Sequence, residues 1–232
     1  YTVTSEDGII TTKYTVSVAG KEKFYEFEEW DIVKSSSTGS SEQYETPTGL
    51  FGTSNPGALT INDMANQVGQ NFGYPVVPTD GKNGKGVMIK SLHTAIVTAD
   101  GQDFNALLGG LLPYITAGSL YTGTFKLNMF DALSSTKFGV AHNGKPVTFT
   151  GWYKYTPGNE YRDKKNNIVE GEIDKCAINA VLYEEELDKN GENVPLTGHD
   201  INTSDRVVMR ASLQDTGAKS EWTEFTLPFE SM

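Results

Sequence analysis

A single cysteine, Cys176, stands among 232 residues. No intramolecular disulfide can form, and no thiolate cluster exists for zinc or iron–sulfur chemistry. Cys176 reads as a small core side chain rather than a nucleophile. Histidine is nearly as scarce: His93, His142 and His199 are widely spaced and offer no paired-ligand pattern, so no metal site is expected from them. No apolar run approaches the roughly 18 residues of a membrane-spanning helix. The chain opens at Tyr1 with strand-like residues, without Met or an apolar signal region, and so reads as a mature or trimmed fragment. Cationic residues are the minority, 19 against 30 acidic, for a formal net charge of −11. Such a chain repels phosphate backbones, which excludes nucleic acid as a partner. Nucleophile elbow, P-loop, zinc-protease and dinucleotide fingerprints are all missing.

What is present is enough apolar sequence to fold in water, 37% hydrophobic against 21% charged. At this length one large β domain, or one domain and a fragment, is expected. Runs of strand formers recur between turn signals: Phe24–Ile32, Gly86–Thr98, Gly118–Lys126, Lys145–Tyr155, Asp174–Glu184, Arg206–Leu213 and Trp222–Phe229. Without sustained β–α alternation, these predict an all-β, two-sheet antiparallel sandwich. Helix is expected only over Ile61–Val68 and Phe104–Leu112. The Ser/Thr/Gly-rich segment Lys34–Gln43 and the segment Pro75–Gly86 read as loops. Residues 1–18 read as a hairpin too small to bury a core. They are either the last strands of an upstream domain or a pair docked on the main one, which gives a division into residues 1–20 and 24–232.

Period-two alternation sorts each strand into a dry and a wet side. In Lys145–Tyr155 the dry parity is Val147, Phe149, Gly151, Tyr153 and Tyr155, and the wet parity is Thr148, Thr150, Trp152 and Lys154. A Trp beside a Lys on a wet face is either a platform for the C–H patches of a sugar, with the ammonium meeting hydroxyls, or a ring covered by a neighbouring loop. Phe24–Ile32 places Trp30 on one parity with Glu26 and Glu28. Asp174–Glu184 leaves Asn179 on the wetter side, and Arg206–Leu213 sets Arg206, Val208 and Arg210 against Val207, Met209, Ala211 and Leu213. If the wet faces line one concavity, Trp30, Trp152, Lys154, Asn179 and Arg210 meet there.

Glycosidic hydrolysis needs two carboxylates about 5–10 Å apart. Glu28 and Asp174 are nominated for that role, although thirty acidic residues would supply many pairs. Asp188-Lys189-Asn190-Gly191-Glu192-Asn193 begins like a calcium loop but lacks its terminal Glu, and reads as a turn.

Three groups of segments carry a family resemblance: Phe24-Tyr25-Glu26-Phe27-Glu28-Glu29-Trp30; Thr53-Ser54-Asn55-Pro56-Gly57; and Ala117 to Phe125, followed in order by Gly151 to Gly158, Asp174 to Ile178 and Trp222 to Phe225. Together they resemble the putative carbohydrate metabolism domain family over about residues 24–232. The resemblance implies a jelly-roll sandwich similar to galactose-binding folds, preceded by an immunoglobulin-like module of which residues 1–18 would be the last strands. It also implies a lipoprotein at the surface or in the periplasm of a Gram-negative bacterium, attached to the membrane only through an absent N-terminal lipid anchor. The partner implied is a polysaccharide or oligosaccharide, with Asn55 joining the candidate contacts and other cell-surface proteins as further partners. No cofactor is required, and a structural Ca²⁺ is permitted by the many acids without any spacing that demands it. One departure is Phe51, where relatives often carry Trp, which implies a different ligand preference if that ring touches ligand. Beside glycan binding, hydrolysis by the paired carboxylates and a structural or adhesive role at the surface stay open.

Overall fold

Strand-forming residues dominate the sequence, and strands dominate the computed structural model, which describes residues 22–110, 112–163, 165 and 167–232 together with two short strands, 2–4 and 11–13. In chain order these are β1 (Thr2–Thr4), β2 (Thr11–Lys13), β3 (Trp30–Lys34), β4 (Gln43–Pro47), β5 (Phe51–Thr53), β6 (Val76–Asp80), β7 (Lys85–Ile89), β8 (Leu92–His93), β9 (Ile115–Thr116), β10 (Leu120–Phe125), β11 (Thr136–Phe138), β12 (Thr148–Tyr155), β13 (Asn179–Tyr183), β14 (Val207–Ser212), β15 (Lys219–Pro228) and β16 (Glu230–Ser231). Two helices, α1 (Asn55–Ala65) and α2 (Phe104–Leu107), interrupt them. Every ladder is antiparallel, and the described residues form an all-β sandwich of several sheets and no barrel. β1 pairs with β2 through Thr2–Lys13 and Thr4–Thr11; the rest of the expected amino-terminal hairpin lies outside the described residues.

Two sheets hold the strands with the sharpest alternation. β12 pairs with β15, and β13–β14–β16 form a three-stranded sheet. Alternation in sequence becomes alternation in burial here. Along β14, Val207, Met209 and Ala211 are buried and the intervening residues are half-buried. Along β12, Phe149, Gly151, Tyr153 and Tyr155 turn inward while Thr148, Thr150, Trp152 and Lys154 are exposed. Val147 departs from its expected dry side and is 76% exposed, because the strand begins only after it.

Elsewhere the structure corrects the expectation. Phe24–Ile32 is a strand only from Trp30 onward. Residues 24–29 find no ladder, and their rings fold instead onto Phe51, with Tyr25 at 6.0 Å and Phe27 at 5.2 Å between centroids. Pro75–Gly86, expected to be a loop, supplies β6, which pairs with β7 around a turn closed by the Gly81 N–H donating to the Gly84 carbonyl at 2.9 Å. Pro78 is tolerated because β6 has a ladder partner on one side only. The helix expected over Ile61–Val68 starts earlier, at Asn55, since Pro56 occupies the first turn, where its missing N–H costs nothing. The one expected over Phe104–Leu112 stops after four residues, where Gly109 and Gly110 take positive φ of 66° and 78°.

α1 buries Ala58, Ile61 and Ala65 at helical spacing, and Ile61 and Ala65 meet Ile96 and Leu112 in a core lined by Met64, Val68, Phe72 and Phe104. Three fully buried asparagines stitch irregular segments around it. Asn62 donates to the Gly73 carbonyl at 2.9 Å and accepts from Phe72 N–H at 2.9 Å. Asn105 accepts from Ile96 N–H at 3.0 Å and donates to the Pro113 carbonyl at 3.2 Å. Asn55 joins the helix start to β4 and β6: it donates to the carbonyls of Glu45 and Val76 at 2.9 and 2.7 Å and accepts from Val76 N–H at 2.9 Å. These amides do the work of ladder rungs where no ladder exists.

Candidate functional site

The β12–β15 ladder runs in register from Thr148–Pro228 through Trp152–Glu224 to Tyr153–Thr223, then shifts so that Tyr155 opposes Lys219. Its inner side is aromatic. Phe225 packs edge-on against Phe149 at 5.1 Å and against Tyr153 at 6.1 Å between centroids. Gly151 makes that packing possible, because a Cβ there would stand 2.6 Å from Phe225 Cζ. Gly151→Ala is therefore expected to destabilise the domain by about 1–3 kcal/mol through overpacking, read as a lowered urea midpoint at unchanged slope.

The outer side presents Thr148, Thr150, Trp152 and Lys154 on β12 and Glu224 and Thr226 on β15, all exposed. Trp152 is 42% exposed. Lys154 Nζ lies 5.5 Å from the centroid of Trp222, which places a second indole on this side. Trp222 sits in the stretch of β15 where the register shifts, and such irregularities re-aim side chains. A third chain segment reaches the same face: Lys82, in the turn between β6 and β7, holds its ammonium over the Trp152 ring. Two indoles, two ammonium groups, a carboxylate and threonine hydroxyls thus share one open face. Rings of this kind stack on sugar C–H patches, and the polar groups around them can exchange hydrogen bonds with hydroxyls.

Of the residues nominated from sequence, Trp152 and Lys154 share the outer side of β12, and the others sit on other elements. Trp30 belongs to the β3–β4 ladder and donates its indole N–H to the Phe27 carbonyl at 2.8 Å. Asn55 is fully buried and spent on main-chain groups, so it cannot touch a ligand. Asn179 is exposed at the start of β13, opposite Ser212. Arg210, on β14, donates to Asn202 Oδ1 at 3.0 Å and to the Ile201 carbonyl at 2.9 Å, bracing the 201–204 turn. Their strands belong to different ladders: Trp30 to β3–β4, Asn179 and Arg210 to β13–β14, and Trp152 and Lys154 to β12–β15.

The carboxylates nominated for hydrolysis also have separate surroundings. Both Glu28 oxygens accept the Lys85 main-chain N–H at 3.1 Å, bracing the β6–β7 turn. Asp174 lies by Tyr155, on the inner parity of β12, where burial and then the Asp174 charge push the tyrosine hydroxyl up to about 12. Burial likewise raises the Cys176 thiol, which keeps it protonated at neutral pH.

Among the described residues, no three His, Cys, Asp or Glu side chains are grouped to hold a metal ion. The Asp188 segment is a turn: its carboxylate accepts the N–H groups of Asn190 and Glu192 at 2.8 and 2.9 Å. His199 Nε2 meets Asp131 at 2.7 Å on the surface.

A polar concavity of about 250 Å³ lies between the Ser-rich loop after β3 and α1, lined among others by Ser37, Ser40, Glu42 and Asp63. Asp63 accepts hydroxyls from Ser35, Ser37 and Ser40 at 2.7, 2.9 and 2.5 Å. Partial burial pushes its carboxyl up, yet the three hydroxyls outweigh that and hold it below the ordinary range. A carboxyl depressed in the folded state contributes stability above its unfolded value, about 3.9, and that contribution is lost as pH falls through the folded value. Protection of the amides over residues 35–42, taken relative to their intrinsic exchange rates, is expected to be high at pH 7 and to fall as pH drops below about 4. Asp63→Asn should remove that local acid step while the other depressed aspartates, such as Asp163 and Asp188, keep theirs.

On the β12–β15 ladder of this antiparallel β-sandwich, exposed Trp152 and Lys154 lie beside half-buried Trp222. Residues 23–232 match the family model of the putative carbohydrate metabolism domain, and the chain belongs to that family. No curated protein matches it. Among solved structures, a putative glycoside hydrolase from Bacteroides thetaiotaomicron is 28% identical at a TM-score of 0.68, with 100% of this chain covered and 64% of that one. The present chain thus spans less than two thirds of that protein. A putative glycoside hydrolase from Bacteroides vulgatus shares the fold at a TM-score of 0.60 and 24% identity, over 89% of this chain and 78% of that one.

The residues that sequence reasoning missed are Trp222, Glu224 and Lys82. Trp222 and Glu224 share one parity of an expected strand, Trp222–Phe229, and sorting that strand by alternation would have found them. Lys82 carries no local signal, because its approach to Trp152 is a contact across 70 positions of sequence.

Proposed function

We propose that the protein is a non-catalytic glycan-binding module that takes part in polysaccharide capture or use outside the cytoplasm. The observation that carries the reading is the exposed Trp152 on the β12–β15 ladder with half-buried Trp222 on the same side, attended by Lys154, Lys82, Glu224 and threonine hydroxyls. Membership of a carbohydrate-metabolism family supports a sugar as the ligand. The test is a panel of polysaccharides and oligosaccharides titrated against the protein while indole emission is followed. Saturable change with at least one glycan is the expected result, and silence from every glycan would overturn the reading. The same proposal places the protein at the surface or in the periplasm of a Gram-negative bacterium, held by a lipid anchor upstream of Tyr1, with a jelly-roll body and residues 1–20 as strands of a preceding immunoglobulin-like module. Cell fractionation with an antibody to the β-sandwich tests the location.

Hydrolysis is the second reading, favoured by the description of the 28% identical structure as a putative glycoside hydrolase. Against the particular pair Glu28 and Asp174 stands their placement, one bracing a turn and the other beside Tyr155. Release of reducing ends by the wild type that vanishes in Glu28→Gln, Asp174→Asn would establish that pair as catalytic.

A further inference from the structure

The two ammonium groups on the indole face stand over rings rather than beside carboxylates. Lys82 Nζ lies over Trp152, and Lys154 Nζ lies 5.5 Å from the Trp222 centroid. Among the described residues neither lysine enters an ion pair, although Glu224 is exposed on the same face and the chain as a whole carries eleven excess negative charges. Lys82 is brought there by a braced turn: Gly81 N–H closes on the Gly84 carbonyl, and Glu28 holds Lys85 N–H at 3.1 Å.

A pyranose that stacks on the face of Trp152 under Lys82 must displace that ammonium. For a neutral sugar that displacement forfeits a cation–π contact and returns nothing charged. For a sugar bearing a carboxylate or a sulfate ester, the freed ammonium pivots from the ring face to the anion at the ring's edge, exchanging a weak contact for a charge-assisted hydrogen bond. The same exchange is available to Lys154 at Trp222. We propose, resting on the glycan-binding reading, that this face selects anionic glycans, with Lys82 and Lys154 as the residues that set the preference.

The experiment uses matched pairs that differ only in charge: polygalacturonate against its carboxyl-reduced form, and dextran sulfate against dextran. The first pair reports carboxylate recognition and the second sulfate recognition. In at least one pair the anionic member is expected to bind about tenfold more tightly, the order contributed by one hydrogen bond to a charged group, with a preference that fades as salt is raised. In Lys82→Met, Lys154→Met the ratio within that pair should fall to near one, whatever happens to either affinity alone. Thermal melts of the variant check that it folds. Equal binding within both pairs, or a ratio untouched by the lysine changes, overturns the anionic preference and leaves glycan binding standing. Binding to none of the four probes and to no glycan of the wider panel overturns both.

Discussion

Asn55→Ala is expected to destabilise the domain by about 3–5 kcal/mol, more than an ordinary single substitution does. The side chain is fully buried, and its amide satisfies three main-chain groups: the carbonyl of Glu45, the carbonyl of Val76 and the N–H of Val76. Alanine leaves all three without a partner and without room for several waters. Each buried polar group so stranded costs about 1–3 kcal/mol, and neighbouring losses overlap, so the sum falls below a simple total. β4 and β6 are not paired with each other, so no ladder bond replaces what the amide supplied. In a domain of this size the effect corresponds to a fall in melting temperature of roughly 6–20 °C. Asn62→Ala, which strands two main-chain groups rather than three, should fall less far. Asn55→Asp offers no rescue: it keeps an acceptor for Val76 N–H but turns a charge toward two carbonyl oxygens. A denaturation midpoint for Asn55→Ala within 1 kcal/mol of wild type, a threshold set at the size of about one ordinary net hydrogen bond, would show that these three bonds are replaceable.

That role was invisible in the sequence, and the reason is physical. An asparagine before a proline and a glycine announces a turn or a helix start, which is local information. Which distant backbone groups lack partners is settled only when β4 and β6 are in place. The features that were legible are those that need only the nearest neighbours. β12 and β14 show in their burial the alternation written in Phe149-Thr150-Gly151-Trp152-Tyr153-Lys154 and in Val207-Val208-Met209-Arg210-Ala211. The same rule failed over residues 24–29, where alternating Tyr25, Glu26, Phe27 and Glu28 imitate a strand, because period two describes a pleated surface only if a partner strand exists to pleat against. It failed in the other direction at Val76–Asp80, where Pro78 and the Gly-rich turn masked a two-stranded hairpin that needs few good residues. The candidate site divides along the same line. Trp152 and Lys154 share a strand and could be paired by counting, and counting along the last strand also puts Trp222 and Glu224 on one parity; that this parity adjoins Trp152 required the β12–β15 register, and Lys82 required the β6–β7 turn to be brought across the fold.

The largest functional effect is expected from the two outward indoles. Trp152→Ala and Trp222→Ala should each weaken glycan binding about 30-fold or more, the loss typical of a central aromatic anchor. The pair together should bring it below detection, with losses that do not add if both rings hold the same saccharide. Folding should survive Trp152→Ala, because Trp152 points away from the Phe149–Phe225–Tyr153 cluster and deleting it opens no cavity there. A neighbouring position supplies the contrast. Phe225, one residue beyond Glu224 on the opposite parity, is buried, so Phe225→Ala should cost about 3–5 kcal/mol and disturb binding only through loss of the ladder. Trp30→Ala should leave affinity untouched, since that indole is tied to the Phe27 carbonyl in another sheet. The discriminating measurement is affinity and melting temperature on the same four variants. A glycan site on the outer face requires affinity lost at 152 and 222, with stability kept at 152, and stability lost at 225. If Trp152→Ala and Trp222→Ala bind as the wild type does, the sugar is held elsewhere and the two rings serve some other contact.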